Sequence, residues 1–189
     1  MKYDPRFHHR RSIRLKGYDY TGAGAYFVTL VTHPRERLFG EISDGEIRLN
    51  QFGQIAYMEW MKTAEIRLNV ELYEDEFVIM PNHVHGLIWI VEHDPGVGAT
   101  GPVAPTGHGG PGMAPNQNRS LIPSSLGAII GQYKTAVAKR INALRGTPGV
   151  HVWQRNYHEH ILRNDRELKA IRNYIDANPA NWENDEENP

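Results

Sequence analysis

The chain has 189 residues, no cysteine and a formal net charge of −1. That length fits one domain, or one domain with extensions, and a sizeable core, and the missing cysteines exclude disulfides, thiolate metal sites and cysteine nucleophiles. No apolar run reaches the roughly 18 residues of a membrane span, and Met1-Lys2-Tyr3-Asp4-Pro5 opens no signal peptide, so a soluble cytoplasmic protein is expected.

The elements follow in chain order. Residues 1–20 read as a basic arm, in which 2–16 carry Lys2, Arg6, Arg10, Arg11, Arg14 and Lys16 against Asp4. Ala25 to Thr32 is rich in aromatic and β-branched residues and predicts a strand. Leu38 to Ile42 and Glu46 to Leu49 flank Ser43-Asp44-Gly45, a hairpin signal. Apolar residues at Ile55, Met58, Met61 and Ile66 predict a helix from Gln51 to about Asn69. Glu71 to Met80 reads as a second core strand, which Pro81 interrupts. Pro81 and Asn82 suit a tight return, and His83 to Val91 continues as the next strand.

Residues 94–118 are about half glycine and proline and read as a flexible loop. Leu126, Ile129, Ile130, Tyr133, Val137, Ile141 and Leu144 then follow helical spacing, with Ser124 or Ser125 as cap and Gly146 at the end. Val152 to Leu162 predicts a strand of polar content. Asn164 and Glu167 form a capping-box pattern. The helix they start shows a core face of Leu168, Ile171 and Ile175 and should stop at Asn178, before Pro179. The end, Glu183 to Glu187, reads as an acidic tail. Strands and helices alternate, yet hairpins occur, which predicts an antiparallel α+β sandwich with helices on one side of the sheet. The domain expected between arm and tail is 21–182.

Charge is segregated along this order. Besides the arm, residues 119–145 carry Lys134, Lys139 and Arg140 with no acid, and Arg155 follows in the polar strand. Such clusters suit a phosphate-binding face; a solvated surface with chance clustering is the rival explanation.

Three constellations bear chemistry. His83 and His85 alternate on a strand, so both imidazoles point to one side and can meet one metal ion. A rigid core strand would hold them well. The rival is a pair of ordinary strand histidines satisfied by hydrogen bonds. Tyr174 and Asn178 stand four apart on one helical face. A tyrosine hydroxyl can attack a phosphodiester, and an amide oxygen can complete a metal's ligand shell. Their rival is a packing tyrosine and a helix-end asparagine. His158 and His160 form a second alternating pair, able to build a four-histidine hydrolase site with the first; the rival is cross-strand pairing or nucleic-acid contact from a polar strand, and Tyr157 beside them is the second choice of nucleophile.

These residues also carry a resemblance. Pro81-Asn82-His83-Val84-His85 resembles the His-hydrophobic-His motif of HUH-type single-tyrosine transposases. Trp153-Gln154-Arg155-Asn156-Tyr157-His158-Glu159-His160 and Tyr174-Ile175-Asp176-Ala177-Asn178-Pro179 are similar to the C-terminal part of the REP-associated tyrosine transposases. The likeness runs from about Arg11 to Trp182, apart from 94–118. It implies a ferredoxin-like or RRM-like fold. It implies a metal-dependent endonuclease that nicks and rejoins single-stranded or hairpin DNA of palindromic type. His83 and His85 match the metal-binding histidines, and Tyr174 matches the nucleophile, which would take the 5′ phosphate and leave a free 3′ hydroxyl. Asn178 matches a third ligand position that is usually Gln in related branches. Mg2+ or Mn2+ suits such a site on phosphate. A homodimer with a shared site is possible in this fold family. The resemblance assigns no role to His158 and His160. Two other functions compete: a metallo-hydrolase using His83, His85, His158 and His160 with activated water, and a non-catalytic nucleic-acid-binding module.

Overall fold

A computed structural model of the chain describes residues 18–92 and 124–188. Arg10, Arg11, Arg14 and Lys16 of the basic arm, and the glycine- and proline-rich stretch 94–118, lie outside the described residues. In chain order the elements are strand β1 (Gly24–Val31), a hairpin of β2 (Gly40–Ser43) and β3 (Glu46–Leu49), helix α1 (Gln51–Ile66), and the short strands β4 (Val70–Glu71) and β5 (Phe77–Ile79). Strand β6 (His83–Ile90), helix α2 (Leu126–Leu144), strand β7 (His158–Leu162) and helix α3 (Asp165–Ala177) complete the series.

One antiparallel sheet organises the fold. Strand β1 is central, paired with β6 on one edge and β7 on the other, and β4 and β5 both pair with β6. Counting β4 and β5 as one interrupted strand, the order is fourth, first, third, second, the ferredoxin-like arrangement of an α+β fold. Alternation sorts the side chains into two faces. Tyr26, Val28 and Leu30 of β1 and Val84, Ile88 and Ile90 of β6 join the main core, which α1 and α2 close with Ile55, Trp60, Ile129, Ile130, Tyr133, Val137 and Ile141. Gly86 sits on this face beneath Trp60: a Cβ there would come within 2.4 Å of Trp60 Cζ2. The indole can lie on the sheet only because the strand offers bare backbone at that point.

Helices α1 and α2 share one side of the sheet, whereas α3 lies on the other, so the expectation of helices on one side alone holds for two of the three. The opposite face is not left bare. Phe27, Leu87 and Ile175 form a small second core there, joined by Val78, Leu162, Leu168 and Ile171. Helix α3 supplies three of these, so it covers the face that α1 and α2 leave open. The histidines of β6 point to this same face.

Caps follow the local sequence. Asn50 accepts hydrogen bonds from the backbone N–H groups of Phe52 and Gly53 at the start of α1, and Ser125 accepts from Ala128 at the start of α2. At α3, Asn164 Oδ1 accepts from Glu167 N–H at 3.0 Å. Glu167 answers through the N–H of Arg163, at 3.1 Å. Asp44 and Gly45 take φ of 56° and 77° in the β2–β3 turn, the left-handed pair that a two-residue hairpin needs.

Two expected strands are broken. In the stretch 71–80 the residues Glu74–Glu76 coil into a 3-10 turn between β4 and β5. The turn buries the Glu76 carboxylate, which meets Trp89 and Arg172. In the stretch 152–162 only β7 pairs with β1, preceded by an isolated bridge from Trp153 to Thr32 just past the end of β1. The backbone between them turns its carbonyls to Lys134, whose Nζ donates to the oxygens of Gln154, Arg155 and Asn156. Helix α1 ends at Ile66, three residues short of the expected end.

Candidate active site

The site begins with Pro81 and Asn82. They make the return between β5 and β6, closed by the Met80 N–H donating to the His83 carbonyl at 2.8 Å. The strand that leaves this turn delivers His83 and His85 to the α3 side of the sheet, opposite Val31 and Thr29 of β1. Both are buried, at 0% and 3% exposure, and their ring centroids lie 4.4 Å apart.

Each imidazole is fixed through Nδ1. His83 Nδ1 lies 2.8 Å from Asn82 Oδ1, and Asn82 Nδ2 donates in turn to the Glu187 carbonyl at 2.7 Å. His85 Nδ1 lies 2.9 Å from Thr29 Oγ1. An amide oxygen can only accept, so the His83 ring proton sits on Nδ1 and Nε2 keeps its lone pair. The same tautomer at His85, with Nδ1–H given to Thr29, leaves its Nε2 to accept from the Tyr174 hydroxyl, 3.1 Å away. Anchoring of Nδ1 by an oxygen is how metal-binding histidines are usually oriented. Burial holds His83 down at a pKa of about 4, against the opposing pull of Asp185. Burial also depresses His85 well below the ordinary range, helped by the charges of His83 and His158. Both rings are therefore neutral at pH 7, the state a metal requires.

Tyr174 and Asn178 come to the same place from α3. The tyrosine ring packs edge-on to Phe27 and His85, at centroid distances of 6.0 and 5.0 Å. Burial first, and the Asp185 carboxylate second, push its hydroxyl up to about 12. Asn178 is buried, and its Nδ2 donates to Asp185 Oδ2 at 2.9 Å. Its Oδ1 is buried with no hydrogen-bond partner, and so is Nε2 of His83. Two orphaned acceptors beside a carboxylate are costly unless something electropositive meets them.

The residue that sequence reasoning missed is Asp185. A 3-10 turn over Pro179–Asn184 folds the chain end back across the site. Trp182 anchors it, 7% exposed, with its ring 6.0 Å from that of His83 and the Arg37 guanidinium 5.5 Å above it. Arg35 holds the following stretch through the Glu187 carboxylate, at 2.9 Å. Asp185 thereby sets Oδ2 3.9 Å from His83 Nε2. His83, His85 and Asp185 offer ligand atoms that all lie within 4.8 Å of one another. The one available signal was Trp182, a large apolar residue in an otherwise polar end, which marks a docked segment rather than a solvated tail.

The other candidates fall elsewhere. His158 and His160 lie on the same face, in rows with Thr29 and Phe27 of β1. Both are exposed, and neither belongs to the cluster of metal-competent atoms found among the described residues. His160 Nε2 faces Glu167 at 3.3 Å. Of the predicted DNA contacts, Lys139 and Arg155 are exposed. Lys134 is partly buried, which lowers its pKa to about 8, and its ammonium is taken up by the carbonyls of 154–156. Arg140 pairs with Glu59 of α1 at 2.7 Å.

No protein-family profile matches the sequence. An uncharacterized protein of Haemophilus influenzae is 37% identical over 192 residues, which cover 98% of this chain and 96% of the relative. Among solved structures, a REP-associated tyrosine transposase bound to a REP hairpin superposes with a TM-score of 0.56 at 17% identity, over 90% of this chain and 74% of that one. The chain belongs to one family with the Haemophilus influenzae protein, and its fold is that of the REP-associated tyrosine transposase.

Proposed function

We propose that the protein is a metal-dependent DNA transposase that nicks and rejoins single-stranded or hairpin DNA through a phosphotyrosine at Tyr174. The observation that carries this reading is the Tyr174 hydroxyl 3.1 Å from Nε2 of His85, beside the bare Nε2 of His83 and the Asp185 carboxylate. A nucleophile against a metal-competent cluster is the minimum apparatus for in-line attack on a phosphodiester. The solved structure of like fold holds a REP hairpin, and a palindromic hairpin is the proposed substrate class here.

The donor set fits a divalent cation. Two neutral imidazoles, a carboxylate and an amide oxygen match Mg2+ or Mn2+ working on phosphate better than a closed thiolate site would. His83, His85 and Asp185 would hold it, with Asn178 either orienting Asp185 or adding its unpaired oxygen. When bound, such an ion supplies positive charge to the scissile phosphate.

The chain's own residues do the rest. Thr29 and Asn82 keep the imidazoles in the tautomer that exposes Nε2. Phe27 and His85 hold the tyrosine ring edge-on. The Tyr174 oxygen attacks phosphorus and the phenol gives its proton to solvent water, while the bond from phosphorus to the 3′ oxygen breaks and that oxygen takes a proton back from solvent. The 5′ phosphate stays on the tyrosine. Attack by a 3′ hydroxyl on the phosphotyrosine runs the same exchange backwards, so rejoining needs no external energy. Lys139 and Arg155 supply exposed charge for the DNA backbone, and the basic arm with Arg10, Arg11, Arg14 and Lys16 adds to it.

The test is a labelled DNA hairpin with single-stranded flanks, incubated with the protein and Mn2+. A denaturant-resistant protein–DNA adduct is expected, absent with Tyr174→Phe and absent with chelator. An adduct that persists undiminished in Tyr174→Phe would refute the assignment. A hydrolase built on four histidines has less support, because His158 and His160 stand outside the ligand cluster.

A further inference from the structure

Little apolar surface holds α3 to the sheet. Ile175 is its one buried residue, and Leu168 and Ile171 are half-covered against the small second core. Contacts of this kind decide which side of a helix goes down. They are non-directional and do little to fix how far the helix sits along its axis. Yet Tyr174 must reach one nitrogen. One residue along a helix is a rise of about 1.5 Å, and a misplacement of about 1 Å can cost roughly 100-fold in rate.

Glu76 provides the missing direction. It is 1% exposed, in the 3-10 turn that precedes β5. Oε2 accepts from Trp89 Nε1 at 2.5 Å. Oε1 accepts from Arg172 Nε at 2.8 Å and from Nη2 of the same guanidinium. Trp89 alternates with His85 and Leu87 on β6, so one carboxylate grips the strand of the metal-competent histidines. Through Arg172 it also grips α3, two residues before Tyr174. Among the described residues, a second tie of α3 to the sheet, Glu167 with His160, is exposed and sits in the first turn, and the remaining one is the Tyr174–His85 contact whose placement is at issue. A buried ion pair is weak evidence for stability, since desolvation offsets its attraction. Its best-attested use is to fix one register among several that apolar packing would allow.

We propose that Glu76 is a positioning residue for Tyr174: acting through Arg172, it sets the register of α3 so that the tyrosine hydroxyl falls against His85. The inference rests on the reading of Tyr174 as nucleophile for its catalytic consequence, while the geometric claim stands apart from it.

The test compares wild type with Glu76→Gln and Arg172→Lys. Arg172 is half-exposed, so the second variant guards against misfolding of the first. With a labelled hairpin at saturation and Mn2+, adduct formation should slow about 10- to 100-fold in both, while hairpin affinity and melting temperature stay within about twofold and a few degrees of wild type. Without DNA, 13Cζ-tyrosine NMR should show the Tyr174 signal moved in both variants and the remaining tyrosines unmoved, the signal being assigned by Tyr174→Phe. An unmoved Tyr174 signal overturns the inference, as does a rate loss that tracks loss of affinity and of fold. A wild type that forms no adduct speaks against the proposed function, and the NMR comparison still decides the positioning claim.

Discussion

Tyr174 and His85 meet hydroxyl to nitrogen, 3.1 Å apart, across 89 residues of sequence. The contact joins a helix end to the middle of the sheet. It also occupies the lone pair that a metal ion would claim. On the proposed reading, the tyrosine hydroxyl would give up His85 Nε2 to a cation and be left free to turn toward a phosphate.

This competition gives the first prediction. Tyr174→Phe should bind Mn2+ as tightly as wild type or more tightly, because the hydrogen bond to be displaced is gone. Its fold should lose no more than about 1 kcal/mol, the net worth of one hydrogen bond. Calorimetric titration with Mn2+ and a thermal melt measure both. Affinity reduced by tenfold would show that the hydroxyl supports the ion instead of yielding to it.

Much of this arrangement was legible in the sequence, for stated reasons. Alternation on a strand put His83 and His85 on one side, and the i, i+4 spacing put Tyr174 and Asn178 on one helical face. Both are local periodicities, which sequence encodes directly. Glu74 to Glu76 was not legible. A carboxylate buried at position 76 depends on Trp89 and Arg172, 13 and 96 residues away, and no local pattern announces such partners. Asp185 failed to appear for the same reason: its neighbours Glu183, Glu186 and Glu187 make it look solvated, and only docking of Trp182 turns it inward. Lys134 read as a phosphate contact because its charge is visible in the sequence, whereas the carbonyls that take it up are not.

The depressed histidines make the site's pH response unusual. His83 is neutral when folded until the pH falls to about 4, whereas unfolded it titrates near 6.5. Between those values the unfolded chain binds a proton that the folded chain refuses, so stability falls as pH drops through this window and is unaffected above it. The loss attributable to His83 is on the order of 3 kcal/mol, and His85 adds in the same direction. Urea melts at pH 7, 5.5 and 4.5 should show a progressive decline that His83→Gln lessens. Mn2+ affinity should meanwhile stay nearly flat from pH 8 to about pH 6, because no ring proton has to be displaced. A tenfold fall over that range would contradict the buried, neutral state of both rings.

Asp185 and Asn82 should separate ligand from support. Asp185→Asn removes the carboxylate and should weaken Mn2+ binding by at least about tenfold, or ~1.4 kcal/mol. It should also let the Tyr174 hydroxyl titrate lower, since the Asp185 charge is one of the causes that raise it. Asn82→Ala leaves every proposed ligand in place but frees His83 Nδ1 and cuts the tie to Glu187. A loss of about 10- to 100-fold in metal affinity is expected from such an orienting partner. If Asp185→Asn binds Mn2+ as wild type does, the third ligand lies elsewhere and Asn178 becomes the residue to replace.

The basic residues should divide by what already holds them. Lys139 and Arg155 are exposed, so replacing either with alanine should weaken hairpin binding uniformly across sequences. Each should lower the slope of log affinity against log salt by about 1, the signature of one lost phosphate contact. Lys134 donates to the carbonyls of Gln154, Arg155 and Asn156, and its own carbonyl accepts from Trp153 Nε1 at 3.1 Å. Lys134→Met keeps the apolar stem but drops the ammonium, leaving those carbonyls short of a donor. Its melting temperature should fall while the salt slope stays at the wild-type value. Filter binding of a labelled hairpin from about 50 to 300 mM salt, set beside thermal melts, separates the two kinds of basic residue. A reduced slope with an unchanged melt in Lys134→Met would mean that the ammonium leaves the loop and meets a phosphate when DNA binds.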